Sequence, residues 1–218
     1  SFLDCAASKG GAYMDLQCRS VIDNPSPEEL RQLAALQSTV AVTEYDNLNV
    51  TTQVTARSKG STFIVSDEPD RHTDPTITRA AYDEIEQAQI AHLLDKDVIV
   101  LDGYIGDHPA ARVRTRLIIE KENANIAAKQ RLLYFPADDD AEPEFTVVYT
   151  PSLEAPGYPD DRIIAVDLDA GITRVLNSDY FGESKMGGLR MWDALMYRRG
   201  GLAMHSGLKV VGDGDNRR

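Results

Sequence analysis

The sequence predicts an α/β domain built as a mixed β-sheet flanked by helices. Three observations predict it. Strand-like runs outnumber helical stripes, the two kinds are interspersed, and Val98-Ile99-Val100-Leu101 is a continuous apolar run of the kind buried on both faces. The length of 218 residues, 42% of them hydrophobic, suffices for one sizeable domain.

Residues 1–24 show no clear period. Asn24-Pro25-Ser26-Pro27-Glu28-Glu29 is a helix entry: Ser26 caps, Pro27 suits the first helical position, and Glu29 completes a capping box. Leu30, Leu33, Ala34 and Leu36 give an apolar stripe to about Gln37. Residues 40–45 and 49–56 carry β-branched side chains in partial alternation and read as strands, with Asp46-Asn47 turning between them. A polar turn at 56–61 holds two cations, Arg57 and Lys59, and leads to a short strand at 62–65. After a loop at 66–73, Asp74-Pro75 opens a long helix over about 76–94, with Ala80, Ile85, Ala88, Ile90 and Leu93 inward.

The strand at 98–101 follows and ends in a turn at 102–106. Residues 112–119 alternate, with Arg112, Arg114 and Arg116 on one side and Val113, Thr115 and Leu117 on the other. This is a strand with one basic face, and a solvated edge strand whose charges discourage aggregation shares the pattern. A short helix at 121–130, a strand at 132–135 and an acidic loop at 136–144 come next. Strands at 145–149, 162–168 and 172–176 complete the middle, the last two joined by a turn at Asp169-Ala170-Gly171.

The net charge of −12 disfavours nucleic acid and anionic membrane as partners. An anionic substrate then needs a local island of Arg and Lys. The acid is clustered in part, at Asp138-Asp139-Asp140, Glu142 and Glu144, which reads as a solvated loop. Two cysteines, Cys5 and Cys18, have no metal-type spacing and are too few for a disulfide scaffold. With no secretory signal and no apolar run of membrane-spanning length, the expected setting is cytoplasmic.

The chain is organised around residues 180–206. A loop, Tyr180-Phe181-Gly182-Glu183-Ser184-Lys185-Met186-Gly187-Gly188, passes into a helix to Arg199. A short apolar strand at 202–204 then delivers His205. Glycines at a helix start, with Lys185 beside them, read as an anion site, and His205 as a metal-capable imidazole. A plain turn and a structural histidine fit the same residues.

This stretch resembles the substrate-binding segment of the ATP-type phosphoenolpyruvate carboxykinase family, which reads Tyr-Gly-Gly-Glu-Met-Lys-Lys-Gly and later Met-His-Cys-Ser. Tyr180, Gly182, Glu183, Lys185, Gly187, Met204 and His205 fall in register with it. Upstream, Thr55-Ala56-Arg57-Ser58-Lys59-Gly60-Ser61-Thr62-Phe63-Ile64-Val65 is similar to the family's Thr-Gly-Arg-Ser-Pro-Lys-Asp-Lys-Tyr-Ile-Val.

The resemblance implies an amino-terminal, substrate-binding domain over residues 1–218, cut from a two-domain enzyme. Residues 213–218 then begin a linker to a nucleotide-binding domain absent from this sequence. It implies conversion of oxaloacetate and ATP to phosphoenolpyruvate, ADP and carbon dioxide, with Mn2+ and Mg2+. Arg57 then grips a substrate carboxylate, Tyr180 and Gly182 lie beside the substrate, Lys185 meets the transferred phosphoryl, and His205 coordinates manganese. The departures are Phe181, Met186, Ala56 and Lys59. Met186 stands where the family has a second, metal-binding lysine, and a thioether suits a hard cation poorly. A neighbouring cation such as Arg190 offers a substitute. The departures also fit a diverged phosphoryl-transfer enzyme or a non-catalytic anion-binding relative.

Overall fold

The computed structural model describes residues 17–212, except 138, 140, 205 and 208. Among the described residues, ten strands and four α-helices follow in order. The first part holds β1 (Ser20–Asp23), α1 (Pro27–Ala35), β2 (Val40–Val42), β3 (Leu48–Val50), β4 (Thr62–Val65), β5 (Thr76–Ile77) and α2 (Arg79–Leu93). The second holds β6 (Asp97–Ile105), β7 (Val113–Glu120), α3 (Ala124–Arg131), β8 (Phe145–Thr150), β9 (Ile163–Asp167), β10 (Ile172–Leu176) and α4 (Gly182–Arg198).

Eight strands form one mixed sheet in the order β1-β6-β7-β8-β10-β9-β4-β5, and β2 and β3 form a separate hairpin. β7, β8 and β10 run parallel, while β6 opposes β7 and β9 opposes β10. Helices cover both faces. Leu30 and Ala34 of α1, Ile126 and Ala127 of α3, and Met191 of α4 pack on one face against Ile99, Leu101, Leu117 and Val147. On the other, α2 sets Leu93 against Val98, Val100 and Ile118, and Tyr82 and Ile85 against Ile163 and Ala165. The α/β fold class is therefore as expected.

Local chemistry explains the helix entries. Ser26 and Glu29 form the reciprocal capping box at α1, with Pro27 at its start. Thr78 caps α2 by accepting from the Ala81 N–H, so that helix begins three residues later than expected, and Thr76 and Ile77 add the edge strand β5 instead.

Four expectations are corrected. The turn placed at 102–106 belongs to β6, which runs to Ile105 because β7 pairs with it along its whole length. The basic strand is no edge: β7 lies between β6 and β8, and Arg114 is buried. Residues 132–135 make no strand, since only Phe135 bridges to Tyr104 while Leu132 is exposed. Residues 202–204 are irregular, with Leu202 and Met204 exposed; the chain leaves α4 through Gly200 at φ 78°, and the Gly201 N–H returns to the Met196 carbonyl. The strand β1 went unforeseen. It is four residues long and takes its order from β6.

Candidate functional site

The site is assembled where β10 ends and α4 begins. Two carboxylates in this segment hold the loop that carries Arg57. Asp179 accepts the Gln53 N–H at 2.7 Å and the Val54 N–H at 2.9 Å. Glu183, fully buried, accepts the Ser58 N–H at 3.0 Å through Oε1 and Arg190 Nη2 at 3.1 Å through Oε2. Arg162 adds a third tie: its Nε donates to the Asn177 carbonyl at 2.7 Å and its Nη1 to Ser58 Oγ at 3.3 Å. The Arg57 loop is thus bound on both sides to the residues that flank Tyr180.

Arg57 itself is exposed. Its loop lines a cleft of about 350 Å³ with Pro159, Asp160 and Arg162. Arg57, Lys59 and Arg162 make this wall basic, against the single carboxylate of Asp160. Arg190 lies close enough to feel Arg57. Burial first, then the Arg57 charge, lowers the Arg190 pKa below the ordinary arginine value, while Glu183 acts the other way. Arg190 Nη1 is buried without a hydrogen-bond partner among the described residues.

Tyr180 is half-buried, and its carbonyl accepts the Tyr149 hydroxyl at 2.8 Å. Its ring lies over Gly182: a Cβ there would stand 2.3 Å from Tyr180 Cε1. Gly182 is therefore needed for the ring's position. Lys185 is half-buried one turn into α4.

The helix entry is not an open anion cradle. The Glu183 and Ser184 N–H groups turn back to the Tyr180 and Phe181 carbonyls, which uses two donors such a cradle needs. Gly187 and Gly188 serve packing instead. A Cβ on Gly187 would lie 3.0 Å from Val147 Cγ2, and one on Gly188 would lie 2.6 Å from Ile105 Cδ1.

The anchors Asp179, Glu183 and Arg162 were not foreseen as parts of the site. Glu183 was visible within the motif, but its partner Ser58 lies 125 residues away.

The profile of the phosphoenolpyruvate carboxykinase family, ATP type, matches residues 19–217. The chain belongs to this family. It is 28% identical over 178 residues to a phosphoenolpyruvate carboxykinase (ATP) of Caldanaerobacter subterraneus subsp. tengcongensis, covering 76% of this chain and 34% of that relative. It is 27% identical over 216 residues to one of Methylobacterium sp., covering 94% of this chain and 39% of the relative. A third, from Alkaliphilus oremlandii, is 26% identical over 214 residues, covering 92% and 40%. The chain thus spans between a third and two fifths of the length of these relatives, in their amino-terminal portion.

Among the described residues no group of three His, Cys, Asp or Glu side chains could hold a metal ion. Met186 is buried, with 8% exposure, and offers only a thioether. The described residues alone therefore do not complete a metal site. His205 lies outside the described residues. Among the described residues, no helix is long and apolar enough to cross a membrane.

Proposed function

We propose that this chain is the amino-terminal, substrate-binding part of an ATP-dependent phosphoenolpyruvate carboxykinase acting on oxaloacetate in gluconeogenesis, in the cytoplasm. One observation carries the reading: Asp179 and Glu183 clamp the Arg57 loop to the segment that presents Tyr180. Family membership supports the same assignment.

In this reading Arg57 grips a substrate carboxylate, because a planar guanidinium supplies the paired donors a carboxylate accepts. Tyr180 and the space at Gly182 form the wall beside the substrate. Lys185 supplies positive charge toward the transferred phosphoryl group. Arg190, held by Glu183, adds a second guanidinium behind Arg57 and stands in for the cation that Met186 lacks. His205 is assigned to a divalent metal on its register with the family motif. In this reading the chain is one substrate-binding domain, and residues 213–218, expected as a linker, lie outside the described residues.

The buried Met186 favours a second reading, a diverged phosphoryl-transfer enzyme or a non-catalytic anion-binding relative. One assay separates them. The full-length protein is given oxaloacetate, ATP and manganese, and phosphoenolpyruvate is measured. The first reading expects turnover that falls at least about a hundredfold in Arg57→Ala, from the loss of a charged bidentate contact to the substrate carboxylate. Absence of product from folded protein removes the carboxykinase reading and leaves the second.

A further inference from the structure

The opposite end of the sheet, where β7 and β8 begin, holds a basic cluster that the carboxykinase reading leaves unused. Arg116 is committed to Asp102 through two contacts of 2.7 Å. Arg114 is not. Its side chain is 8% exposed, its Nη2 stands 3.7 Å from Asp102, and its Nη1 reaches Asp139 at 3.4 Å. Its buried Nε has no hydrogen-bond partner among the described residues. The guanidinium carbons of Arg112 and Arg114 lie 4.5 and 5.5 Å from the centre of the Tyr104 ring. The Asp139 carboxylate sits where these donors meet. Its Oδ2 accepts from the Tyr104 hydroxyl, and its Oδ1 accepts from the Ala141 N–H at 3.1 Å as well as from Arg114. These contacts, the Tyr104 hydrogen bond first, hold the Asp139 pKa below the ordinary carboxylate range.

We propose that this cluster is a binding site for a small carboxylate-bearing molecule, with Asp139 as its intramolecular stand-in. A hydroxyl, an amide N–H and a guanidinium directed at the two oxygens of one planar group is carboxylate recognition. The tethered carboxylate meets Arg114 only at long range and leaves Nε unfilled. A free carboxylate can sit across Nε and a terminal nitrogen in the paired geometry that the loop does not reach. Buried donors without acceptors are rare in native proteins, and a missing ligand is a physical reason for one. Asp139 is 41% exposed, so solvent already reaches the carboxylate that a ligand would replace.

The test uses the full-length protein carrying Arg57→Ala, so that binding at the proposed substrate site is removed from the comparison. Malonate is titrated by calorimetry at constant ionic strength. Adding Asp139→Ala is expected to tighten malonate binding about tenfold, the scale of one charge-assisted contact. Adding Tyr104→Phe or Arg114→Gln then removes the gain. Tyr104→Phe keeps the ring and deletes one oxygen, so it reads the site even where Arg114→Gln fails to fold. Equal affinity with and without Asp139→Ala overturns the proposal, as does a gain that survives Tyr104→Phe. Inorganic phosphate is the comparator, and tighter binding of phosphate than of malonate overturns the carboxylate assignment.

Discussion

Replacing Glu183 by Gln tests the clamp that holds the Arg57 loop. The side chain keeps its shape and loses its charge. In the native arrangement its two oxygens accept from Ser58 N–H and Arg190 Nη2. A glutamine has one oxygen and one NH2, so one of those donors must face another donor. Removing one partner of a buried ion pair costs about 3–5 kcal/mol. Arg190 keeps 12% of its side chain exposed, which places the expectation near the lower end, about 3 kcal/mol. Chemical denaturation of the protein measures this loss. Hydrogen exchange at the Ser58 amide reads the loop directly and is expected to quicken by about tenfold or more. A double-mutant cycle with Arg190→Met isolates the pair: the double variant should cost less than the sum of the single ones. An unchanged Ser58 exchange rate together with additive stabilities would show that Glu183 does not anchor the loop.

Three further outcomes follow from the same geometry. Gly182→Ala places a Cβ 2.3 Å from the Tyr180 ring, so the ring must shift; oxaloacetate KM in the full-length enzyme should rise while stability changes by about 1 kcal/mol or less, and an unaltered KM would separate Tyr180 from the substrate. Acid should destabilise the fold. Burial alone would raise Glu120 and Asp167, but Ser152 and His92 at Glu120, and Arg79 with the Ala170 and Asp169 N–H groups at Asp167, bring both below the ordinary range. A depressed carboxylate contributes stability above its unfolded pKa of about 4, and that stability is lost as pH falls through the lowered folded value. The melting temperature should therefore drop below about pH 4, less steeply in Arg79→Met, and an identical acid limb in that variant would remove Asp167 from the account. Lastly, His205→Ala should weaken manganese binding to the full-length protein by about tenfold or more, and unchanged calorimetric affinity would exclude His205 as a ligand.

Parts of this architecture were legible because the signal was local. The apolar run at 98–101 became an interior strand, and the capping box at 26–29 became the start of α1. The family could be read from two short motifs near Arg57 and Tyr180. Other parts were legible only as ambiguity. Apolar residues at 132–135 and 202–204 have strand-like composition, yet a strand exists only where a partner edge is free. The edge of β6 is taken by β1 over residues 97–100, with Phe135 bridging farther on at Tyr104, and no described residue pairs with 202–204. The basic face of β7 fitted a solvated edge equally well, until Asp102 on β6 was seen to neutralise Arg116.

By itself the sequence determined the fold class, most of the strands and the residues that carry the family likeness, because periodicity, caps and short motifs act within about ten residues. Only the tertiary structure decided which carboxylates do the holding. Asp179 and Glu183 look like ordinary acidic residues until the chain returns, 125 residues later, beside the amides of Val54 and Ser58. A buried carboxylate is stable only where donors converge on it, and that convergence is a property of the fold and not of any stretch of sequence.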